Sequence, residues 1–488
     1  MTHSLAALLV PELRWDPGHG FGYLREAIDD AIEVGVGGFL LSGGPRAEVE
    51  ALTQELHRRS PHPLLIAMDA ESGAGGRVAG LTGLPPAGAL GALRDSEVVR
   101  RAARLTAREL RAVGVNWVLA PVCDLDVYPA NPVLGARSFG ADAQRVAEWV
   151  VEWIDTCQAE GVLACAKHFP GIGRALADPQ LTAVHIDEMP SVLWAEDLVP
   201  FRAAVDAGVA SVLVAHAVFP RLDAGGAPAS RSRPLLTELL RGELQYEGLV
   251  VSDALSQAAA RFGSDESTAA LESVQAGCDL LLAPSDPVGV LARLDQARDA
   301  GKLDADAVET SRARRTFWAH WARPDGGREP TLDDVLWARQ VADTVVHAVR
   351  GVMPHVGPVV DVIQVEDAPA PPRQTPLDSR EPFLATLRAL GLSPRLVGGP
   401  TAEGRGAVVV ALYGGADTGS GRAGYSESAR RRVAQAVADA RQSQRSTVVV
   451  MFAHPRLAAE LPEAPNVVCC WNGARAMQES AARRVGGQ

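Results

Sequence analysis

Short apolar runs rich in Val, Leu and Ala alternate with longer segments of helical periodicity through the first two thirds of the chain. The runs predict strands over 5–10, 37–42, 63–69, 116–122, 162–168, 211–216, 248–253 and 279–283. Between them, 96–113 and 141–160 repeat apolar residues at helical spacing. The strand runs are apolar throughout rather than alternating, which suits parallel strands covered on both faces. Eight strands alternating with helices over roughly 300 residues fit a (β/α)8 barrel in count and size. Spacing alone leaves an open doubly wound sheet as the rival. Most of the runs end in polar or charged residues: Asp69, Asp124, Lys167 with His168, His216 and Asp253. A barrel gathers such residues at the C-terminal ends of its strands, and this regularity favours it.

After about residue 301 the pattern changes. Residues 331–350 read as a helix with Thr331 available as its N-cap. A Pro-rich stretch over 368–376 follows, then a strand over 406–412, a helix over 426–442 and a strand over 446–452. The expected organisation is a barrel domain over 1–330 and a smaller α/β sandwich domain, with its connecting helix and linker, over 331–488. A chain of 488 residues is too long for one ordinary core, which agrees with two domains.

Composition narrows the function classes. Hydrophobic residues make up 47% and charged residues 22%, as in a soluble globular enzyme. The net charge of −12 argues against a nucleic-acid or anionic-membrane partner. The apolar run near the N-terminus is short, lacks a basic region before it and stops at Pro11 and Glu12, so it reads as a buried strand rather than a signal peptide or membrane insertion. Six cysteines (123, 157, 165, 278, 469 and 470) form no CxxC pair and no metal-ligand spacing, so a reduced, cytoplasmic setting is expected. Neither a metal nor an organic cofactor is implied.

Three segments carry candidate chemistry. In LVVSDAL (249–255) an apolar strand delivers Asp253 at its end. A carboxylate there can attack an anomeric carbon, as in retaining glycosidases, and can equally cap the next helix. In AKHFPGIG (166–173) Lys167 and His168 stand side by side before a Gly-containing loop. They can hold sugar hydroxyls and offset developing charge, or be a paired Lys and a packed His. In MDAESGAGGRV (68–78) Asp69 and Glu71 lead into a loop that returns Arg77. A carboxylate and a guanidinium suit vicinal hydroxyls and also make an ordinary loop ion pair.

Together these segments resemble glycoside hydrolase family 3. DAESGAGGRV, LPPAGALGAL, GVNWVLAPVCDLD, NPVLGARSFG, AKHFPGIG and GLVVSDAL occur in that family's order, over roughly residues 5–300. DDVLWARQVAD and CCWNGARAMQESAARRVGG look like the second domain of its two-domain members. The sequence is most similar to the β-N-acetylglucosaminidase (β-N-acetylhexosaminidase) branch, whose members work on cell-wall muropeptides, glycoproteins or chitin fragments. The resemblance implies a small saccharide or glycoconjugate substrate. It implies Asp253 as the nucleophile and Asp69, Arg77, Arg137, Lys167 and His168 as residues holding the sugar, although the Arg77 loop is longer than in the simplest members. That branch carries an Asp-x-His pair after KHFPG, with the His as general acid/base and the Asp orienting it.

Here the stretch reads GRALADPQLTAVHID, so Asp178 is present and Gln180 stands where the His belongs. An amide cannot exchange a proton at useful pH. Three explanations stay open. Asp178, His185, Glu188 or Glu427 substitutes as acid; the enzyme is slow or restricted to good leaving groups; or the fold survives as a saccharide-binding or regulatory protein. A β-glucosidase, or a phosphorylase that changes only the acceptor, belongs to the same set. His185 reads more simply as a surface histidine, and His216 as a support for the pocket. Sequence leaves the oligomeric state unassigned.

Overall fold

The computed structural model describes residues 5–179, 181–258, 265–322, 327–367, 379–401, 406–414 and 421–487. They form two compact units. The first comprises Met1–Thr82, Asp95–Val127 and Gly140–Pro330; the second comprises Gly83–Arg94, Tyr128–Phe139 and Thr331–Gln488.

In the first unit every strand pairing is parallel and the pairings run in a cycle. Leu9–Val10 pairs with Leu281–Leu282, and beyond Pro11 the same segment, Glu12–Arg14, pairs with Gly38–Ser42. The ladder continues to Leu65–Met68 and then to Trp117–Val118. A bridge from Trp117 to Leu163 and another from Val122 to Lys167 lead to Cys165–Phe169. Ser211–Val214 and Leu249–Ser252 follow, and a bridge from Val251 to Leu280 returns to the start. This is the connectivity of the expected (β/α)8 barrel.

Alternation explains its filling. Leu65 and Ala67, Leu163 and Cys165, Leu249 and Val251, and Leu280 and Leu282 share one buried cluster with Val10 and Trp117. Residues two apart lie on one face of a strand, so this set fills the interior while the intervening residues meet the helices. The helices over Ser96–Ala112 and Ala143–Ala159 start where an aspartate accepts backbone N–H groups: Asp95 from Glu97, and Asp142 from Gln144 and Arg145. The helix Ala305–Trp321 is tied to the strand starts by Arg315, which donates through Nε to the Gly37 carbonyl at 3.1 Å and also to that of Pro63. Burial lowers the Arg315 pKa to about 10, so it remains a cation at neutral pH.

One expected strand needs correction. Over 5–10, Ala6–Leu8 turns as a 3-10 helix and the strand begins at Leu9. Leu5, Ala6 and Leu8 are fully buried all the same, so burial rather than strand pairing accounts for that apolar run.

The second unit holds a six-stranded sheet in the order His347–Arg350, Val467–Cys469, Thr447–Phe452, Val408–Tyr413, Val359–Glu366, Ser393–Leu396. Only the first of these runs antiparallel to its neighbour. The central strands Val408–Tyr413 and Thr447–Phe452 are buried along their whole length, as strands covered on both faces must be. Thr331 does cap its helix, through a capping box with Asp334. The helix stops at Val345, however, and His347–Arg350 becomes the edge strand. The Pro-rich stretch over 368–376 lies outside the described residues. Among the described residues no helix is long and apolar enough to cross a membrane.

Candidate active site

Four segments of the first unit carry candidate residues at the C-terminal ends of strands in the cycle. Leu65–Met68 ends at Asp69, Cys165–Phe169 carries Lys167 and His168, Ser211–Val214 leads to His216, and Leu249–Ser252 ends at Asp253. A regular strand sends consecutive side chains to opposite faces. Lys167 and His168 nevertheless both engage strand-end carboxylates, and the register against Ser211–Val214 shifts between Lys167 and Phe169.

Lys167 is 3% exposed and its Nζ lies 2.6 Å from both Asp69 Oδ1 and Glu71 Oε1. Arg77 donates through Nε to the Asp69 carbonyl at 2.6 Å and through Nη2 to Asp69 Oδ2 at 3.0 Å. Asp69 is thus held between two cations, which fixes its carboxylate at the strand end.

His168 is oriented by Asp124, which is fully buried. Asp124 Oδ2 lies 2.7 Å from His168 Nδ1, and Asp124 Oδ1 accepts the Ile172 N–H at 2.8 Å. The same carboxylate accepts from the His168 N–H, so one side chain aligns both the imidazole and the start of the following loop. Asp124→Asn keeps the shape but loses the charge that these donors share. We expect a stability loss of about 1–3 kcal/mol by urea denaturation, the range for a weakened buried charge-assisted network. A loss below a few tenths of a kcal/mol would mean that the charge is dispensable.

Asp253 is buried at the end of its strand, and its Oδ1 accepts the Ala254 N–H at 2.8 Å. Burial alone pushes its pKa up. Its neighbours His216 and His168, the Ala254 N–H and Lys167 outweigh that and hold it below the ordinary value. His216 is bonded on both ring nitrogens, Nδ1 to Ser230 Oγ at 2.8 Å and Nε2 to the Ala254 carbonyl at 3.2 Å. These contacts brace the turn that presents Asp253. The result is a buried, ionised carboxylate among donors and cations, an arrangement fit for covalent catalysis at a centre that develops positive charge.

Asp178 is buried, and its carbonyl accepts the Leu181 and Thr182 N–H groups at a turn. Gln180 lies outside the described residues. His185 is exposed, and Glu188 meets Arg174 at 3.5 Å. Arg137 and Glu427 belong to the second unit. There Arg137 ends the short turn Gly135–Arg137 and Glu427 pairs with Arg431 at 3.3 Å. Asp124 was read from the sequence as a strand-end residue without a role, Glu71 as a loop carboxylate suited to sugar hydroxyls or an ion pair, and Ser230 was overlooked. The strand-end position was the available signal for Asp124; the pairing of Glu71 with Lys167 depends on tertiary structure. Among the described residues no group of three or more His, Cys, Asp or Glu side chains could hold a metal.

Residues 25–316 match the family model described as the glycosyl hydrolase family 3 N-terminal domain. The chain belongs to glycoside hydrolase family 3. This family 3 glycosidase is 38% identical over 284 residues to a protein from Thiobacillus denitrificans named β-hexosaminidase, covering 56% of this chain and 77% of that one. It is 36% identical over 277 residues to a Cellulomonas fimi protein named β-N-acetylglucosaminidase/β-glucosidase, covering 55% of this chain and 48% of that one. Among solved structures, a family 3 β-N-acetylglucosaminidase from Paenibacillus sp. strain FPU-7 matches 100% of this chain and 97% of its own length, with a TM-score of 0.84 at 25% identity. A β-glucoside phosphorylase shares the fold, with a TM-score of 0.82 at 20% identity, covering 100% of this chain and 92% of that one.

Proposed function

We propose that this enzyme is a retaining, exo-acting glycoside hydrolase that removes a terminal β-linked sugar, N-acetylglucosamine first, through a glycosyl-enzyme on Asp253. The observation that carries the reading is the buried Asp253 carboxylate at the end of its strand, where it accepts the Ala254 N–H and its pKa is held below the ordinary value. The relatives named β-hexosaminidase support the choice of sugar. In this reading residues 1–330 supply the barrel and 331–488 the second domain. Asp69, Arg77, Lys167 and His168 hold the sugar at the cleavage subsite. The Asp253 carboxylate attacks the anomeric carbon as the glycosidic C–O bond breaks, and water then cleaves the ester with retained configuration. The setting we propose is cytoplasmic, with cell-wall saccharide fragments as substrates.

Position 180 is a glutamine where the related enzymes' motif has a histidine. An amide cannot deliver a proton to a departing oxygen, and a missing general acid costs about 10²–10⁴ in rate. Substrates with good leaving groups suffer least. Aryl β-N-acetylglucosaminides with leaving groups of graded acidity test this directly. In wild type, kcat/KM falls steeply as the leaving group becomes more basic. Gln180→His flattens the dependence and raises the rate on the poorest leaving groups by about 10²-fold. A shallow wild-type dependence would show that another residue donates the proton. Saccharide binding without turnover in both proteins would overturn the hydrolase reading.

A further inference from the structure

Glu109 is a buried carboxylate whose two oxygens both meet one residue. It lies in the last turn of the helix Ser96–Ala112 and is 1% exposed. Its Oε1 accepts the Thr82 hydroxyl at 2.7 Å and the Thr82 N–H at 3.1 Å, and its Oε2 accepts the same N–H at 3.0 Å. Among the described residues no cation forms an ion pair with it. Arg46 acts on it at longer range and is itself paired with Glu50 and Glu329. A carboxylate withdrawn from water in this way is costly, and the Thr82 donors offset that cost. Burial pushes the Glu109 pKa up, the Thr82 donors pull it back, and the net direction is upward.

Thr82 in turn closes the loop that returns Arg77. Its carbonyl accepts the Gly75 N–H at 2.9 Å, so the stretch from Gly75 to Thr82 is a ring held at its neck by Glu109. Beside that neck the Arg77 N–H donates to the Ala74 carbonyl at 3.0 Å, and Val78–Ala79 pairs in parallel with Gly44–Pro45. From the ring Arg77 reaches Asp69 through Nε and Nη2, while Lys167 joins Asp69 to Glu71, where the loop begins. The contacts thus run from Glu109 through Thr82 and the Arg77 loop to the carboxylate that ends Leu65–Met68.

We propose that Glu109 is a positioning residue: by holding Thr82 it closes the loop and keeps the Arg77 guanidinium seated on Asp69. This rests on the reading that Asp69 and Arg77 hold the sugar. Glu109 acts through Arg77 alone. A misplacement of about 1 Å can cost about 10²-fold in rate, and here the loss falls on the sugar rather than on the leaving group.

The test compares full-length wild type, Glu109→Leu, Glu109→Gln and Thr82→Val, each with Arg77 intact and combined with Arg77→Ala. Amide hydrogen exchange over 73–82 is measured on each, with kcat and KM on the graded aryl glycosides per titrated active site. Glu109→Leu should speed that exchange and lower kcat/KM by about 10- to 100-fold, equally for good and poor leaving groups and with KM raised. In the Arg77→Ala background the same substitution should cost less than about twofold, since residues that act as one unit are not additive. Glu109→Gln keeps an oxygen that accepts both Thr82 donors and should stay within about threefold of wild type. Thr82→Val loses only the hydroxyl donor. It should show a weaker form of the Glu109→Leu pattern, and it carries the test if Glu109→Leu does not fold. Losses that persist in full beside Arg77→Ala, or fewer titrated sites with KM unchanged, would overturn the proposal. If the wild type turns over none of the glycosides, the hydrolase reading fails and saccharide affinity by calorimetry replaces kcat/KM. Weaker binding in Glu109→Leu that disappears beside Arg77→Ala then upholds the positioning role, and equal weakening in both backgrounds refutes it. Unchanged exchange over 73–82 refutes it whatever the activity.

Discussion

Asp253→Ala lowers kcat by about 10⁴-fold or more on every glycoside that the wild type cleaves, the scale on which removing a covalent nucleophile acts. Saccharide affinity is expected to persist in the variant, because the proposed subsite residues Asp69, Arg77, Lys167 and His168 are unchanged. Steady-state kinetics with active-site titration, and calorimetry with the free sugar, separate the two effects. A residual rate within tenfold of wild type would exclude Asp253 as the nucleophile. The pH dependence follows from the same environment. Asp253 has a folded pKa below the ordinary 3.8, so the nucleophile stays ionised as pH falls toward that value. The lowered pKa also adds stability that is fully present above the unfolded-state pKa and is lost as pH falls through the folded one. An acid limb of kcat/KM near neutral pH must therefore come from another group.

Lys167→Met has the second large effect, on stability as well as turnover. Nζ is the buried charge between Asp69 and Glu71, at 2.6 Å from each. Methionine fills much of the volume but leaves two carboxylates close together without the ammonium between them; Arg77 still meets Asp69 at 3.0 Å. Breaking one side of a buried pair costs about 3–5 kcal/mol. The lower end, about 3 kcal/mol, is expected here because Asp69 keeps a 34% exposed side chain. Adding Glu71→Gln to Lys167→Met should restore part of that loss by removing one of the two like charges. Guanidinium denaturation of the single and double variants checks both statements. A loss under about 1 kcal/mol would place the Lys167 contacts among weak solvated pairs.

The legible parts of the fold were those in which chain pattern and burial coincide. Leu249–Ser252 and Val408–Tyr413 are parallel strands buried on both faces, and such strands read as unbroken apolar runs. The same cue misled over 5–10, where Ala6–Leu8 is just as apolar but turns as a 3-10 helix. Edge strands were illegible for the opposite reason: Ser393–Leu396 reads SPRL and is partly exposed, so it carries no apolar signature. At the site, Asp253, Lys167 and His168 stood out as polar residues closing apolar strands. Asp69 and Asp124 stood out in the same way, but their pairings did not, because Asp124 is 44 positions from His168 and Asp69 is 98 positions from Lys167. Only the closed cycle of strands sets those pairs side by side. The absence of an imidazole at position 180 was visible solely against the motif of the family, since a glutamine in a polar loop has nothing unusual about it.

The most direct test of the account is to identify the residue that carries the sugar during turnover. Incubation with a fluorinated N-acetylglucosaminyl fluoride, followed by proteolysis and peptide mass spectrometry, captures the intermediate. The account predicts a single glycosyl adduct on the carboxylate of Asp253, absent from Asp253→Ala. Release of the fluorosugar without an adduct, or an adduct on any other residue, would contradict it.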